Sequence, residues 1–290
     1  MPPRSWTEQN PIRRGFQAAA YAIEAVIEGR KPAQMILSPE GRGKTFMVDQ
    51  QLRKHGIKAP HLSPKTDGAF VEGLYKYRDH HEYPVLVMDD CDVLAHSEVV
   101  ANRFKTAFAP PHLVVYQTRK TLGSKDSIPP EFPFHGRLIW LSNINYTDPR
   151  NIDPEMRPHW KAMESRGLDP IWIDSPDDED LFAYIVWLVV ERNMLRNEEG
   201  LKRDINEAAL NWFIEHRNHV KELSPRCLVQ VAQTFKNYPG EDKRKVMLSL
   251  KLTEEPIRKI PGIPPMKIVG HQWQNSPFVE SSQPELPFSP

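Results

Sequence analysis

The chain predicts an α/β fold, a parallel sheet with flanking helices, followed by a small all-helical domain. Three observations lead there. Short apolar runs alternate with helical periodicities through residues 14–174, the strand-like runs then stop, and Ser175-Pro176-Asp177-Asp178 opens a helical stretch with a cap, a proline at the first helical position and acids in the first turn. Sheets of that kind place ligands at the C-terminal ends of their strands.

The first strand decides what such a ligand is. Met35-Ile36-Leu37 runs into Ser38-Pro39-Glu40-Gly41-Arg42-Gly43-Lys44-Thr45-Phe46, a turn holding two glycines and then a Lys-Thr pair that opens a helix expected to reach about His55 and stop at Gly56. Glycines let successive N–H groups turn into one concavity, and the helix N-terminus behind it favours anions, so the loop is built for a triphosphate. Pro39, Glu40, Gly41, Arg42, Gly43, Lys44, Thr45 and Phe46 would line the nucleotide, with Lys44 as a mobile point charge on the β- and γ-phosphates and the Thr45 hydroxyl on Mg²⁺. The strand, glycine loop and helix in this order resemble the phosphate-binding unit of a P-loop NTPase, so a P-loop NTPase parallel sheet is the expected α/β domain. Ser38 stands where the usual pattern has its first glycine.

The other elements follow in order. Apolar spacing predicts a helix over Phe16–Ile27, a short strand near Ala59–Leu62 and a helix near Ala69–Arg78. Val85-Leu86-Val87-Met88 then ends in Asp89-Asp90, which reads as a buried strand delivering carboxylates to the ligand edge. A helix over Glu98–Phe108, a strand over Leu113–Gln117 and a polar, turn-rich stretch from Thr118 to Pro133 come next. Gly136–Asn143 is another buried strand with Asn143 at its end, followed by a helix over Asp153–Ser165 and a strand over Pro170–Ile173. Helices are expected near 177–194, 205–217, 225–236 and 241–250. The domain plan is therefore an arm over 1–13, the α/β domain over 14–174, a helical lid over 175–252 and a proline-rich, extended or disordered tail over 253–290.

Composition narrows the classes. Lysine plus arginine equals aspartate plus glutamate at 38 each, so any nucleic-acid surface is a local patch, not a property of the net charge. Two cysteines, Cys91 and Cys227, fit a reducing compartment and make neither a disulfide framework nor a zinc site. No apolar run is long enough to span a membrane, and the N-terminus has no secretory signal, so a cytoplasmic address is expected.

Four separated pieces now line up: the glycine loop, the Asp89-Asp90 strand end, the Ser142-Asn143 strand end, and a helical domain carrying Ser224-Pro225-Arg226. Over roughly residues 14–250 the chain resembles an AAA+ ATPase, and it is most similar to the small ATPases of bacteriophages. There an Asp-Asp-Cys-Asp signature, here residues 89–92, precedes a helix with Asn and Lys, here Asn102 and Lys105. The resemblance implies ATP and Mg²⁺, with Asp89 holding the metal through water and Asp90 polarising the attacking water. It implies that Asn143 is a sensor that places the water and that Arg226 is a second sensor on the γ-phosphate. Arg166 matches an arginine finger that reaches a neighbouring subunit, with Arg157 its nearest competitor. AAA+ proteins usually carry Glu where Asp90 stands, and Asp retracts the carboxylate by about 1.5 Å, one C–C bond.

A finger supplied in trans requires head-to-tail assembly, a ring or a spiral, with a hexamer the commonest outcome in the superfamily. DNA is an expected partner, through the loop Pro64-Lys65-Thr66-Asp67-Gly68 or through Arg119, Lys120 and Lys125. The tail peptide with Gln283, Leu286 and Phe288 resembles the motif by which bacterial replication and repair proteins dock on the sliding clamp. Together these point to a remodeller or loader in DNA replication, recombination or repair, in the host cytoplasm if phage-encoded. A non-hydrolysing, ATP-dependent assembly switch acting on a protein partner and a small-molecule P-loop kinase are the competing readings.

Overall fold

The computed structural model describes residues 3–79, 81, 84–91, 96–116, 128–196, 201–269, 272–274 and 278. Two compact units divide the chain: residues 16–40 with 44–173, and residues 1–15 and 41–43 with the described residues from 174 on.

The first unit is built on five parallel strands. In chain order these are β1 (Ala33–Leu37), β2 (His61–Leu62), β3 (Val85–Asp89), β6 (Arg137–Ser142) and β7 (Pro170–Trp172), arranged β2-β3-β6-β1-β7. All five residues of β1 and the first four of β3 are buried, as continuous apolar strands require when helices cover both faces. The one polar residue in β1, Gln34, is satisfied: its amide donates to Met35 O (2.8 Å) and Asp169 O (2.7 Å) and accepts from Lys31 Nζ (2.6 Å). Around the sheet lie the greater part of α1 (Pro11–Ile27), α2 (Lys44–Lys54), α3 (Asp67–Lys76), α4 (Glu98–Ala107) and α5 (Arg157–Glu164).

One strand departs from its expected place. Leu113–Val115 (β4) pairs antiparallel with Glu131–Pro133 (β5) as a separate hairpin, and neither joins the central sheet. β5 falls at the end of the stretch Thr118 to Pro133 that reads as polar and turn-rich. Arg119, Lys120 and Lys125 lie outside the described residues.

Behind β6, Trp140, Tyr146 and Trp160 form an aromatic cluster with ring centroids 4.8–5.9 Å apart. Trp140 is fully buried in the strand that ends at Ser142. Trp140→Ala should therefore destabilise the protein by about 3–5 kcal/mol, read as a lower midpoint of denaturant unfolding. A midpoint within experimental error of the parent would contradict that packing role.

The second unit holds α6 (Asp178–Val190), α7 (Arg203–Glu215), α8 (Pro225–Asn237) and α9 (Glu241–Ser249). The expected helix start shifts by two residues. Asp177, not Ser175, caps α6 by accepting from Glu179 N (2.9 Å), while Ser175 Oγ donates to Asp180 Oδ2 (2.6 Å). The stretch read as an arm is packed at Ser5, Trp6 and Asn10. Trp6 is buried against Phe182, and fully buried Asn10 donates to Ser5 O and Asp180 O, both at 2.8 Å, while its Oδ1 caps the start of α1.

The segment after 252 is extended, as its prolines dictate, yet it is not disordered up to residue 269. Thr253 N donates to His219 O (2.8 Å), Ile257 N to Asn218 O (2.9 Å) and Met266 N to Asn211 Oδ1 (2.8 Å), and Ile260 and Met266 are buried. Prolines removed the periodicity that sequence reading depends on, but the backbone partners come from the helical unit. Lys267–Val269 (β8) and Gln272–Gln274 (β9) then pair as a short antiparallel ladder. Gln283, Leu286 and Phe288 lie outside the described residues. No helix among the described residues is long and apolar enough to cross a membrane.

Candidate nucleotide-binding and catalytic site

The site begins with strand register. Leu37 of β1 sits beside Ser142 of β6, and Asp89 of β3 beside Leu141, so three neighbouring strands end together and deliver Ser38, Asp90 and Asn143 to one edge. Parallel neighbours are about 4.8 Å apart, which brings their terminal side chains within reach of one another.

The loop after β1 explains why Ser38 is tolerated. Its left-handed residues are Gly41 (φ 77°) and Gly43 (φ 96°); Ser38 is not among the positive-φ residues. Serine therefore carries no backbone strain at that position, whereas Gly43 is needed for its left-handed φ and not for space, because a Cβ there would meet nothing within 4 Å.

Lys44 opens α2 and is 6% exposed. Its ammonium donates to Ser38 O (2.7 Å), Pro39 O (3.3 Å) and Asn143 Oδ1 (2.7 Å). Thr45 Oγ1 donates to Asp89 Oδ2 (2.8 Å), and Asn143 Nδ2 donates to Asp90 Oδ1 (2.9 Å). Lys44, Asn143 and Asp90 are thus one hydrogen-bonded chain, with Thr45 and Asp89 paired beside it. Asn143 bridges a cation and a carboxylate with its two amide atoms, which fixes the orientation of both.

Mg²⁺ fits this donor set in one way. Among the described residues no three His, Cys, Asp or Glu side chains converge as a metal cage. A hydroxyl and one carboxylate are what an ion held mainly by phosphates and water requires.

Two residues at the site carried no sequence signal for this role. Ser63 Oγ donates to Asp89 O (2.6 Å), and Lys65 Nζ donates to Asp90 O (2.7 Å). Both come from the segment between β2 and α3, and only their place just past a strand end pointed to them.

The remaining candidates are held by other partners or lie on the surface. Arg166 follows α5, its guanidinium donating to Ala162 O (2.6 Å) while its buried Nε has no hydrogen-bond partner. Burial, with the Arg166 guanidinium nearby, holds the Lys105 ammonium below its usual range, and Lys105 Nζ lies 3.1 Å from His159 Nδ1. Arg157 donates to Pro149 O (3.1 Å). Arg226 is in the first turn of α8, which Ser224 caps by accepting from Cys227 N (3.0 Å). Arg42 donates to Leu223 O (3.1 Å) and pairs with Asp174 (3.3 Å). Phe46 is 41% exposed on α2.

No protein-family model matches the chain. Among curated proteins it is similar to an uncharacterised 36.7 kDa protein of the nrdC-mobD intergenic region of Enterobacteria phage T4. The two are 22% identical over 231 residues, covering 76% of this chain and 69% of the relative. Among solved structures it is similar to two variants of RuvB from Thermotoga maritima. These are 13% and 12% identical with TM-scores of 0.44 and 0.46, covering 82% of this chain and 67% and 69% of theirs. The chain itself has a P-loop NTPase fold, a parallel α/β sheet with a glycine loop between β1 and α2 and a helical unit after it, and its own residues carry its resemblance to the AAA+ ATPases.

Proposed function

We propose that this protein is an Mg²⁺-dependent ATPase of the AAA+ type, working as a head-to-tail ring or spiral on DNA or on protein assemblies bound to it. The supporting observation is the hydrogen-bonded chain Lys44–Asn143–Asp90, with Thr45–Asp89 beside it, at the ends of three adjacent strands. Phosphoryl transfer needs positioning and charge, with little covalent chemistry, and these residues supply both. Lys44 and the loop amides hold the β- and γ-phosphates. Thr45 and Asp89 would hold Mg²⁺, which when bound would supply positive charge to the phosphates. Asp90, oriented by Asn143, accepts a proton from the attacking water, and Arg226 and a neighbour's Arg166 add fixed positive charge.

Asp90→Asn keeps the size of the side chain and its contact with Asn143 but removes the base. It should bind ATP as tightly as the parent and lose turnover by about 100-fold or more, in line with the contribution of a positioned general base. Binding and phosphate release measured on the same preparation check this. The short side chain of Asp90 favours the switch reading as the alternative, and a parent chain that binds ATP tightly, assembles and never releases phosphate would establish it. Stimulation of turnover by single-stranded DNA supports the DNA role; indifference to every nucleic acid favours a protein client.

A further inference from the structure

Asp90 has a left-handed backbone, with φ of 50°, at the residue where the carboxylate is one carbon shorter than the usual glutamate. Asp tolerates that region better than most side chains, yet it persists only where the surroundings fix it. Two donors do so from opposite ends: Asn143 Nδ2 on the carboxylate (2.9 Å) and Lys65 Nζ on the carbonyl (2.7 Å). Next door, Ser63 Oγ holds Asp89 O (2.6 Å), so the segment after β2 braces both residues of the acidic pair through their backbones.

We propose that Lys65 is a positioning residue: it holds the left-handed turn at Asp90, and that turn sets where the short carboxylate meets the water. The inference rests on the ATPase reading. Lys65 touches neither phosphate nor metal in this role; its ammonium acts through the Asp90 carbonyl. The segment that carries it continues into α3, which Thr66 caps by accepting from Ala69 N (3.2 Å), so the lysine stands on an anchored turn. A glutamate at position 90 would carry its carboxylate about 1.5 Å further out from the same turn, past the point where Asn143 holds it.

The test compares Lys65→Met, which keeps the aliphatic stem without the ammonium, with Lys65→Arg, whose guanidinium still reaches the carbonyl. Lys65 is exposed, so both variants should fold. Lys65→Met should bind ATP with unchanged affinity while kcat falls up to roughly tenfold, the share one hydrogen bond can carry. Lys65→Arg should recover most of that loss, and Asp90→Glu should turn over more slowly than the parent. Without nucleotide, the Asn143 side-chain amide resonance should move in Lys65→Met and stay in place in Lys65→Arg. A Lys65→Met protein with parental kcat, or an unmoved Asn143 amide, overturns the inference while leaving the ATPase reading intact. A parent chain that binds ATP and never turns it over overturns both.

Discussion

Replacing Lys44 with alanine is expected to reduce ATP turnover to background and to weaken nucleotide binding by at least roughly thirtyfold, the lower end of what losing one partner of a buried charge contact costs. Two losses combine. The phosphates lose their point charge, and Asn143 loses the donor that fixes its carbonyl end, so its grip on Asp90 loosens as well. Because Lys44 is buried, the variant also leaves Ser38 O and Pro39 O without that donor, and a stability measurement must accompany the binding data. Lys44→Arg is the second variant: it keeps the charge in a bulkier, planar head that does not fit the same three acceptors, and it should fold as the parent does while turning over slowly. Parental ATP affinity in a folded Lys44→Ala protein would show that the loop grips something else.

Arg166→Ala is expected to spare ATP binding and cut turnover by about 1,000-fold or more, the range of an arginine finger. Topology favours a role in trans. Arg166 precedes β7, whose first residue, Pro170, pairs with Met35, so the chain enters the sheet from the edge opposite the strand ends that carry Lys44 and Asp89. Its Nε is buried without a hydrogen-bond partner. Mixing separates the two cases. Arg166→Ala subunits keep an intact site and Asp90→Asn subunits keep an intact arginine, so equal mixing should restore activity at about one interface in four if neighbours share sites head to tail. No recovery on mixing, with both variants assembled, would place the arginine in cis. Recovery with Arg157→Ala in its place would move the finger to Arg157.

Much of the sheet was legible in the sequence because a doubly covered parallel strand is a short apolar run with a polar end. Met35–Leu37, Val85–Met88 and Leu138–Leu141 all announce themselves in that way, and each is followed by a residue of the candidate site. Residues 113–115 share that apolar character and still pair elsewhere, because partner choice depends on a hairpin whose second strand, Glu131–Pro133, has no periodicity of its own. Trp6 and Asn10 read as part of a polar arm because burial by a helix more than 160 residues away leaves no local pattern. The same holds for Ile260 and Met266 among their prolines. At the site, Lys44, Thr45, Asp89, Asp90 and Asn143 were readable from spacing and strand ends. Ser63 and Lys65 were not, since what they bond is backbone, and a carbonyl leaves no trace in the sequence of its partner.

The central claim is that the amides ahead of Lys44, with Asp89 across from them, cradle a metal-bound triphosphate. Titrating the intact chain with a slowly hydrolysed ATP analogue, in Mg²⁺ and again in excess chelator, tests it most directly. The expected result is one nucleotide per chain, bound at least about tenfold more weakly without the metal, as loss of a metal bridge between phosphate and carboxylate implies. Absence of saturable binding, or binding indifferent to the chelator, would contradict it.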